Sequence, residues 1–277
     1  MKTDAVSIIV GTYNDLEILE SSLAALAVQS FRNFEVVLAD DGSSQDYAPI
    51  LGRWALRFAC GIQHATHDKQ GYRKARILNR AIQSSRFDRL IIIDMDCLPH
   101  RDFVKNHLIY LDSGVAVIGR RSHLSRDVIP QPSAILQHGL GFGPAALLRL
   151  WLFGKAHVLE HGVILPFFYE SSNRNLFGCN FSVWRNDLYA INGFNEEFEG
   201  WYYEDVDLGL RLQFSGVHIR NLRNKVIQYH LEHKRIPLDN PRNKGILERT
   251  KAERTVKAPI GLTEIQAGDF TLTGYED

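Results

Sequence analysis

Four short clusters in this sequence hold side chains that could do chemistry. Asp40-Asp41-Gly42-Ser43 puts two carboxylates ahead of a Gly-Ser turn. One of them could accept a base imide N–H or a ribose hydroxyl, although Asp and Ser also favour Asx-turns and helix N-caps. Asp94-Met95-Asp96 ends an apolar run. If the chain stays extended there, alternate residues share a side, and both carboxylates could hold one hard cation that in turn binds phosphate oxygens. A capped loop is the competing explanation, but two same-side carboxylates repel each other without a cation. Gly200-Trp201-Tyr202-Tyr203-Glu204-Asp205-Val206-Asp207 sets aromatics beside carboxylates. A sugar ring can stack on such aromatics while a carboxylate deprotonates a hydroxyl. Shielding by Trp201 and Tyr203 would raise the pKa of that base; otherwise the stretch is an acidic helix start with packing aromatics. His230 and His233 share H-x-x-H spacing, which suits either one imidazole on the cation or a surface pair.

Short β-branched runs and helical periods alternate around these clusters. Val6–Val10, Phe34–Ala39, Leu90–Ile93 and Val115–Ile118 read as strands buried on both faces. Leu16, Leu19, Leu23 and Leu26 form one helical stripe, and Tyr72–Ser84 reads as a basic amphipathic helix with Ile77, Ala81 and Ile82 inward. A further helix is expected over Arg101–Asp112 and a strand over Gly178–Trp184. Strand–helix alternation predicts βαβ units and an α/β fold with a mainly parallel central sheet flanked by helices. Ligands of such sheets gather at the carboxyl ends of the strands, after Val10, Ala39 and Ile93. In Asp205–Phe214, Val206, Leu208, Leu210, Leu212 and Phe214 alternate like a strand, yet the acidic start favours a helix.

The expected organisation is one domain with an extension. Residues 1–120 are expected to form a ligand-binding half, 121–233 a catalytic half of the same domain, and 234–277 a basic extension expected to be partly mobile. Residues 234–257 carry eight Lys/Arg against three Asp/Glu. The whole chain has 277 residues and 32 Lys/Arg against 32 Asp/Glu, so no global basic field exists to hold nucleic acid. Three scattered cysteines predict neither a disulfide framework nor a structural zinc site. No run of apolar residues is long enough for a signal peptide or a membrane span, so the expected location is cytoplasmic. The stretch Gly139–Leu159, with Arg149 and Lys155, could lie peripherally on the inner membrane face or pack beneath an acceptor site.

Taken in order, these motifs resemble the inverting, metal-dependent glycosyltransferases of family 2, which have the GT-A fold. VSIIVGTYN…FEVVLADDGSSQD is similar to their N-terminal signature, and IIIDMDC to their DxD strand end. GCNFSVWRNDLYAINGFNEEFEGWYYEDVDLGLRLQFSG resembles the C-terminal part of β-1,4-galactosyltransferases and chondroitin-polymerase-type enzymes. The resemblance spans about residues 5–120 and 176–233. It implies a UDP-sugar donor, a glycan or lipid-linked glycan acceptor, and Mn²⁺ (or Mg²⁺). It implies that Thr12, Tyr13 and Asp41 line the uridine pocket, that Lys74 or Arg76 approaches the nucleotide, and that Asp94 contacts ribose or cation. Asp96 would ligate the metal, with His230 completing the set and His233 as substitute. Asp205 would be the catalytic base and Glu204 a sugar contact, joined by Trp201, Tyr203 and Asn180. It also implies a helix from Glu204. Where the galactosyltransferase motif carries small residues, this chain has Tyr202 and Tyr203. A sugar-1-phosphate nucleotidyltransferase or an idle nucleotide-sugar-binding module are the rival readings. The first would normally have a Gly-rich basic loop where this chain has Gly11-Thr12-Tyr13-Asn14-Asp15.

Overall fold

A computed structural model describes residues 5–165, 169–233 and 240–276. The chain begins with β1 (Val6–Thr12), α1 (Leu16–Ala27), β2 (Phe34–Asp40), α2 (Ala48–Ala55), β3 (Ile62–Thr66), α3 (Lys74–Ser84) and β4 (Arg89–Asp94). Then come β5 (Cys97–Pro99), α4 (Phe103–Tyr110), β6 (Val115–Ile118), β7 (Arg120–Leu124), α5 (Pro132–His138), α6 (Pro144–Leu152), β8 (Ala156–His157) and β9 (Tyr169–Ser171). The last elements are β10 (Asn180–Trp184), α7 (Arg185–Ala190), α8 (Glu204–Phe214), β11 (His218–Arg223), β12 (Ile227–Leu231), α9 (Pro241–Glu253) and β13 (Thr271–Tyr275).

The apolar runs are strands because their residues have somewhere to go on both sides. Ile8 and Val10 of β1 enter one core with Leu19 and Leu23 of α1 and Trp54 of α2. Ile9 points the other way, into a second core with Ile77 and Leu78 of α3 and Leu208 and Leu212 of α8. Period-two alternation thus divides an all-apolar strand between two helical layers. Among the described residues, nine strands form the main sheet in the order β13-β3-β2-β1-β4-β10-β6-β11-β9. Strands β1 to β4 are parallel, β10 is antiparallel to β4 and β6, and β11 is parallel to β6. Six of the nine strands therefore run one way, matching the mainly parallel sheet the sequence predicts.

A second sheet, β5-β12-β7-β8, carries His230 in its strand β12. The chain leaves the large sheet for this one at Gly119, where a β-carbon would stand 2.3 Å from the Val226 carbonyl oxygen and 2.5 Å from Asn180 Nδ2. Only glycine permits so close an approach.

Two expectations are corrected here. The helix expected over Arg101–Asp112 is shorter, Phe103–Tyr110, and the basic helix starts at Lys74 rather than Tyr72. Near the C-terminus β13 pairs antiparallel with β3 from Thr271↔Thr66 to Tyr275↔Ile62, and Leu262 joins the second core. Of the basic stretch, residues 234–239 lie outside the described residues. The remainder forms α9, which buries Ile246 and Leu247 against Phe198.

Candidate active site

The residues expected to bind nucleotide stand at the ends of β1, β2 and β4, where the sheet rule places them. The two aspartates after β2 divide the two roles open to them. Asp40 Oδ1 accepts from Ser43 N (2.9 Å) and Ser43 Oγ (2.6 Å), the local turn anticipated for Asp and Ser, while its Oδ2 lies 3.0 Å from His64 Nε2. Asp41 is buried, with Lys69 Nζ at 2.7 Å and His67 Nε2 at 2.9 Å, and it accepts from the Arg73 backbone N–H. Thr12 is buried beside it, whereas Tyr13 is 44% exposed with Lys69 Nζ 3.8 Å above its ring. Asn14 and Asp15, both at positive φ, turn the chain, and the Asp15 carboxylate caps α1 by accepting from Ile18 N.

Lys74, in the first turn of α3, reaches Asp94 with Nζ–Oδ1 of 2.5 Å. Burial alone would lower the lysine's pKa, but Asp94, Tyr72 and Glu204 hold it well above its ordinary value. The other basic candidate, Arg76, is not at this crevice. It faces the C-terminal segment, where Asp269 is kept below the usual carboxylate range by the Gln266 N–H against a burial penalty, with Arg80 and Arg76 assisting.

Asp94 and Asp96 do not act as a same-side pair, because β4 ends at Asp94 and Met95-Asp96 is a turn. Asp94 turns to Lys74, and Asp96 turns to the second sheet. The ladder accounts for this: His230 in β12 sits opposite Cys97 in β5, and Leu231 N donates to the Asp96 carbonyl (2.8 Å). Asp96 Oδ2 thereby lies 3.5 Å from His230 Nε2 and 3.4 Å from His233 Nε2. Burial would raise the Asp96 carboxyl, but hydrogen bonds from both imidazoles hold it well below the usual range. Asp96, His230 and His233 offer ligand atoms within 4.8 Å of one another. His230 lies within β12 rather than after it, and its buried Nδ1 has no hydrogen-bond partner.

The third cluster starts α8, as the resemblance implies. The strand-like alternation proves to be two helical stripes. Leu208 and Leu212 enter the second core, while Val206 and Leu210 pack toward α9. Its three acids have three fates. Asp207 is fully buried, accepting from Arg211 Nε (2.7 Å) and Thr250 Oγ1 (2.7 Å). Asp205 Oδ2 accepts from Gly178 N (2.9 Å), and its Oδ1 from Val206 N (2.8 Å). Glu204 is 9% exposed with Oε2 unpartnered. Burial, reinforced by the charge of Asp205 and opposed by Lys74, pushes its carboxyl up to about 7.

Tyr202 and Tyr203 have φ of 78° and 81°. Left-handed backbone costs a non-glycine residue roughly 1–2 kcal/mol, which gives a reason for small residues at these positions in similar enzymes. Tyr203 packs toward Phe198, Ile246 and Leu247. Trp201 stacks on Tyr72 (centroids 4.4 Å, 19°) and is 38% exposed, so of the two aromatics it is the more open to a ligand. Gly200 N donates to the Tyr72 carbonyl and Arg73 pairs with Glu199, clamping this loop to the nucleotide side. Asn180 is not placed to contact a sugar through its amide donors. Nδ2 donates to the Arg120 and Val226 carbonyls and Oδ1 meets His107 Nε2, so the side chain ties the two sheets together.

Sequence reasoning missed His64, His67 and Lys69, which hold the two aspartates, and Arg120, Arg121 and His123 at the start of β7. The latter three follow an apolar run, VAVIG, so the strand-end rule that singled out the acidic pairs would have found them had basic pairs been sought as well.

An open α/β sheet with carboxylates, a lysine and an Asp-His-His cluster along its strand ends has the architecture of the GT-A class. The profile described as "Glycosyl transferase family 2" matches residues 7–162, and "N-terminal domain of galactosyltransferase" matches residues 161–234. The chain belongs to glycosyltransferase family 2. A chondroitin synthase of Escherichia coli is 26% identical over 253 residues, covering 83% of this chain and 35% of that protein. A validoxylamine A glucosyltransferase of Streptomyces hygroscopicus is 26% identical over 228 residues, covering 76% of this chain and 52% of that protein. The chain thus spans between a third and about half the length of these relatives. S. aureus TarS 1-349 in complex with UDP-GlcNAc superposes with a TM-score of 0.64 at 15% identity, covering 93% of this chain and 68% of that one, which shows a shared fold.

Proposed function

We propose that this chain transfers a hexose or N-acetylhexosamine from a UDP-sugar to a glycan or glycolipid hydroxyl, inverting the anomeric centre. The carrying observation is that Glu204, at the start of α8, interacts electrostatically with Lys74 and Asp94 at the strand ends, and Asp94 lies two residues before Asp96 of the Asp96–His230–His233 cluster. The synthase and glucosyltransferase relatives, and the UDP-GlcNAc bound by TarS, support a UDP-sugar donor.

Asp96, His230 and His233 combine oxygen and imidazole donors that suit a divalent cation such as Mn²⁺ (or Mg²⁺). When bound there, the ion would supply positive charge to the leaving diphosphate. Tyr13 and Asp41 bind the uracil, Lys74 and Asp94 the ribose–phosphate region. Asp205 takes the acceptor hydroxyl proton as that oxygen attacks the anomeric carbon opposite the diphosphate. The carbon–oxygen bond to the diphosphate breaks, its electron pair leaves with phosphate, and an α-linked donor yields a β-glycoside. One observation favours a second assignment of the base: Glu204 has the free buried oxygen and a pKa near working pH. The pH–rate profiles of Asp205→Asn and Glu204→Gln decide, since the variant lacking the base loses the acidic limb.

The test of the activity is a donor screen that follows nucleotide release with Mn²⁺ present. UDP release with acceptor is expected. Pyrophosphate release would make the protein a nucleotidyltransferase, and no release from any donor an idle binding module. Asp96→Ala is expected to abolish the Mn²⁺-dependent part of UDP binding in calorimetry. Among the described residues no helix is long and apolar enough to cross a membrane. A peripheral contact at the cytoplasmic membrane face is supported by α6 and the residue after it, where Leu148, Trp151, Leu152 and Phe153 are 50–70% exposed beside Arg149. Co-flotation with anionic vesicles, lost in Trp151→Glu, tests it.

A further inference from the structure

A cavity of about 200 Å³ lies on the other side of β4 from the nucleotide crevice. It is lined by Arg120, Arg121 and His123 at the start of β7, by Phe177 and Cys179 at the entry to β10, and by His161. The sheet order explains its place, since β10 and β6 lie beyond β4 from β1 and β2. Two contacts fix it between the parts of the site already described. Gly178, between two lining residues, donates its N–H to Asp205 Oδ2 (2.9 Å). On the opposite wall the His123 ring meets that of His230, with centroids 4.9 Å apart.

The two arginines of this cavity differ: Arg121 feels the nearby charge of Asp96 and the Cys97 and Cys179 sulfurs, whereas Arg120 feels Cys179 and, against it, the like charge of Arg223. Among the described residues, no carboxylate lies within ion-pair distance of Arg120 or Arg121. The Arg120 guanidinium sits 4.2 Å over the Phe177 ring, and its buried Nε has no hydrogen-bond partner. Arg121 Nη1 reaches Cys179 Sγ (3.1 Å) and Cys97 Sγ (3.8 Å), and thiols are weak acceptors. Burial, together with the nearby charge of Arg223, lowers the pKa of Arg120. A partly desolvated cation such as Arg120, with no carboxylate beside it, costs the fold stability, and an external anion would relieve that cost. Guanidinium groups present a planar fork that fits carboxylate or phosphate oxygens. The volume is below the roughly 300–1,000 Å³ of pockets that bury drug-sized ligands, so it suits one charged substituent rather than a nucleotide.

We propose that this cavity is an anion-recognition subsite for the acceptor, in which Arg120 and Arg121 hold a carboxylate or phosphate group carried near the reacting hydroxyl. The proposal rests on the glycosyl-transfer reading above and adds the acceptor's chemical class to it.

The experiment compares four acceptors that share one reactive hydroxyl: a glucuronide, its methyl ester, the neutral glucoside and a sugar phosphate. Each is assayed with the wild-type protein and with Arg120→Gln. The charged acceptors are expected to exceed the neutral ones at least tenfold in kcat/KM, and that ratio should collapse toward one in the variant. Whether glucuronide or phosphate leads identifies the anion. Equal use of charged and neutral acceptors by the wild type overturns the proposal. So does a variant whose only change is a higher KM for the UDP-sugar, because the anion would then be the donor's diphosphate. Direct binding of glucuronate and inorganic phosphate, followed by NMR, needs no turnover. If no donor is consumed but these anions bind the wild type and not Arg120→Gln, the activity reading fails and the subsite stands. If they do not bind the wild type, the subsite falls. Should Arg120→Gln not fold, rising NaCl applied to the wild type replaces it: selective loss of charged-acceptor use supports the proposal, and parallel loss with neutral acceptors overturns it.

Discussion

The crevice has two sides, divided by β4, and they differ in how their charges are settled. On the nucleotide side each carboxylate already has a cationic or imidazole partner: Asp40 with His64, Asp41 with His67 and Lys69, Asp94 with Lys74. Across β4 several polar atoms are left open, although Asp96 and Asp205 have partners there. Glu204 Oε2, His230 Nδ1 and Arg120 Nε are buried without hydrogen-bond partners. One side is assembled and electrically closed before any ligand arrives, so its groups contribute to folding. The other carries groups that burial makes costly, which is where ligand binding has most to return. Substituting groups whose charge is neutralised within the fold should therefore cost stability, and substituting groups without a counter-charge should cost function.

The largest expected effect sharpens this within one helix turn. Asp205→Asn keeps the shape of the side chain but removes its basicity, and turnover should fall about 10²–10⁴-fold while UDP still binds. Single-turnover kinetics beside UDP calorimetry checks both halves of that statement. Asp207, two residues on, should behave in the opposite way. Its carboxylate and the Arg211 guanidinium are both buried, and Asp207→Ala strands the cation, at about 3–5 kcal/mol in denaturant unfolding. If instead Asp207→Ala folds normally and only turnover suffers, the division between open and closed groups is wrong.

How much of this was legible in the sequence follows from the same physics. Strands β1, β2, β4 and β6 are buried on both faces, so their apolar runs could be read directly. β3 carries Gln63 and His64 between its apolar positions, and β13 is mostly exposed, so neither has a pattern that local reasoning recognises. The His230–His233 spacing announced the cluster these two imidazoles form with Asp96. The fate of Asp94 did not follow from spacing, because it depends on where β4 stops and on a lysine from α3. Long-range partners such as Gly178 for Asp205 are set by topology, and no local window contains them.

Glu204→Gln comes next in size and has the opposite sign. The Glu204 carboxyl sits at about 7 in the folded chain against 4.5 for the free side chain, chiefly through burial and then the Asp205 charge. Between those values the folded chain retains a proton that the unfolded chain has released. The associated stability is complete below about pH 4.5 and is lost as pH rises through 7, a loss of about 3 kcal/mol for so buried a group. Gln cannot ionise and escapes that loss. The variant should be more stable than wild type at pH 8 and equal to it near pH 4.5, measured by denaturant unfolding at both values. A variant less stable at pH 8 would show that ionised Glu204 has a partner, and would move it to the closed side.

The smallest effect compares the two sides with one substitution each, both measured without ligand. Asp41→Ala leaves the Lys69 ammonium, the His67 ring and the Arg73 N–H without their acceptor. Lys69 is partly exposed and water recovers some of its interaction, so the expected loss is about 1–3 kcal/mol. Arg120→Gln removes a cation that has no counterion in the fold, so stability should hold or rise slightly. Equal losses at the two positions would mean that Arg120 is serving the fold after all. A loss confined to Asp41 would place the boundary between structural and ligand-directed charge at β4.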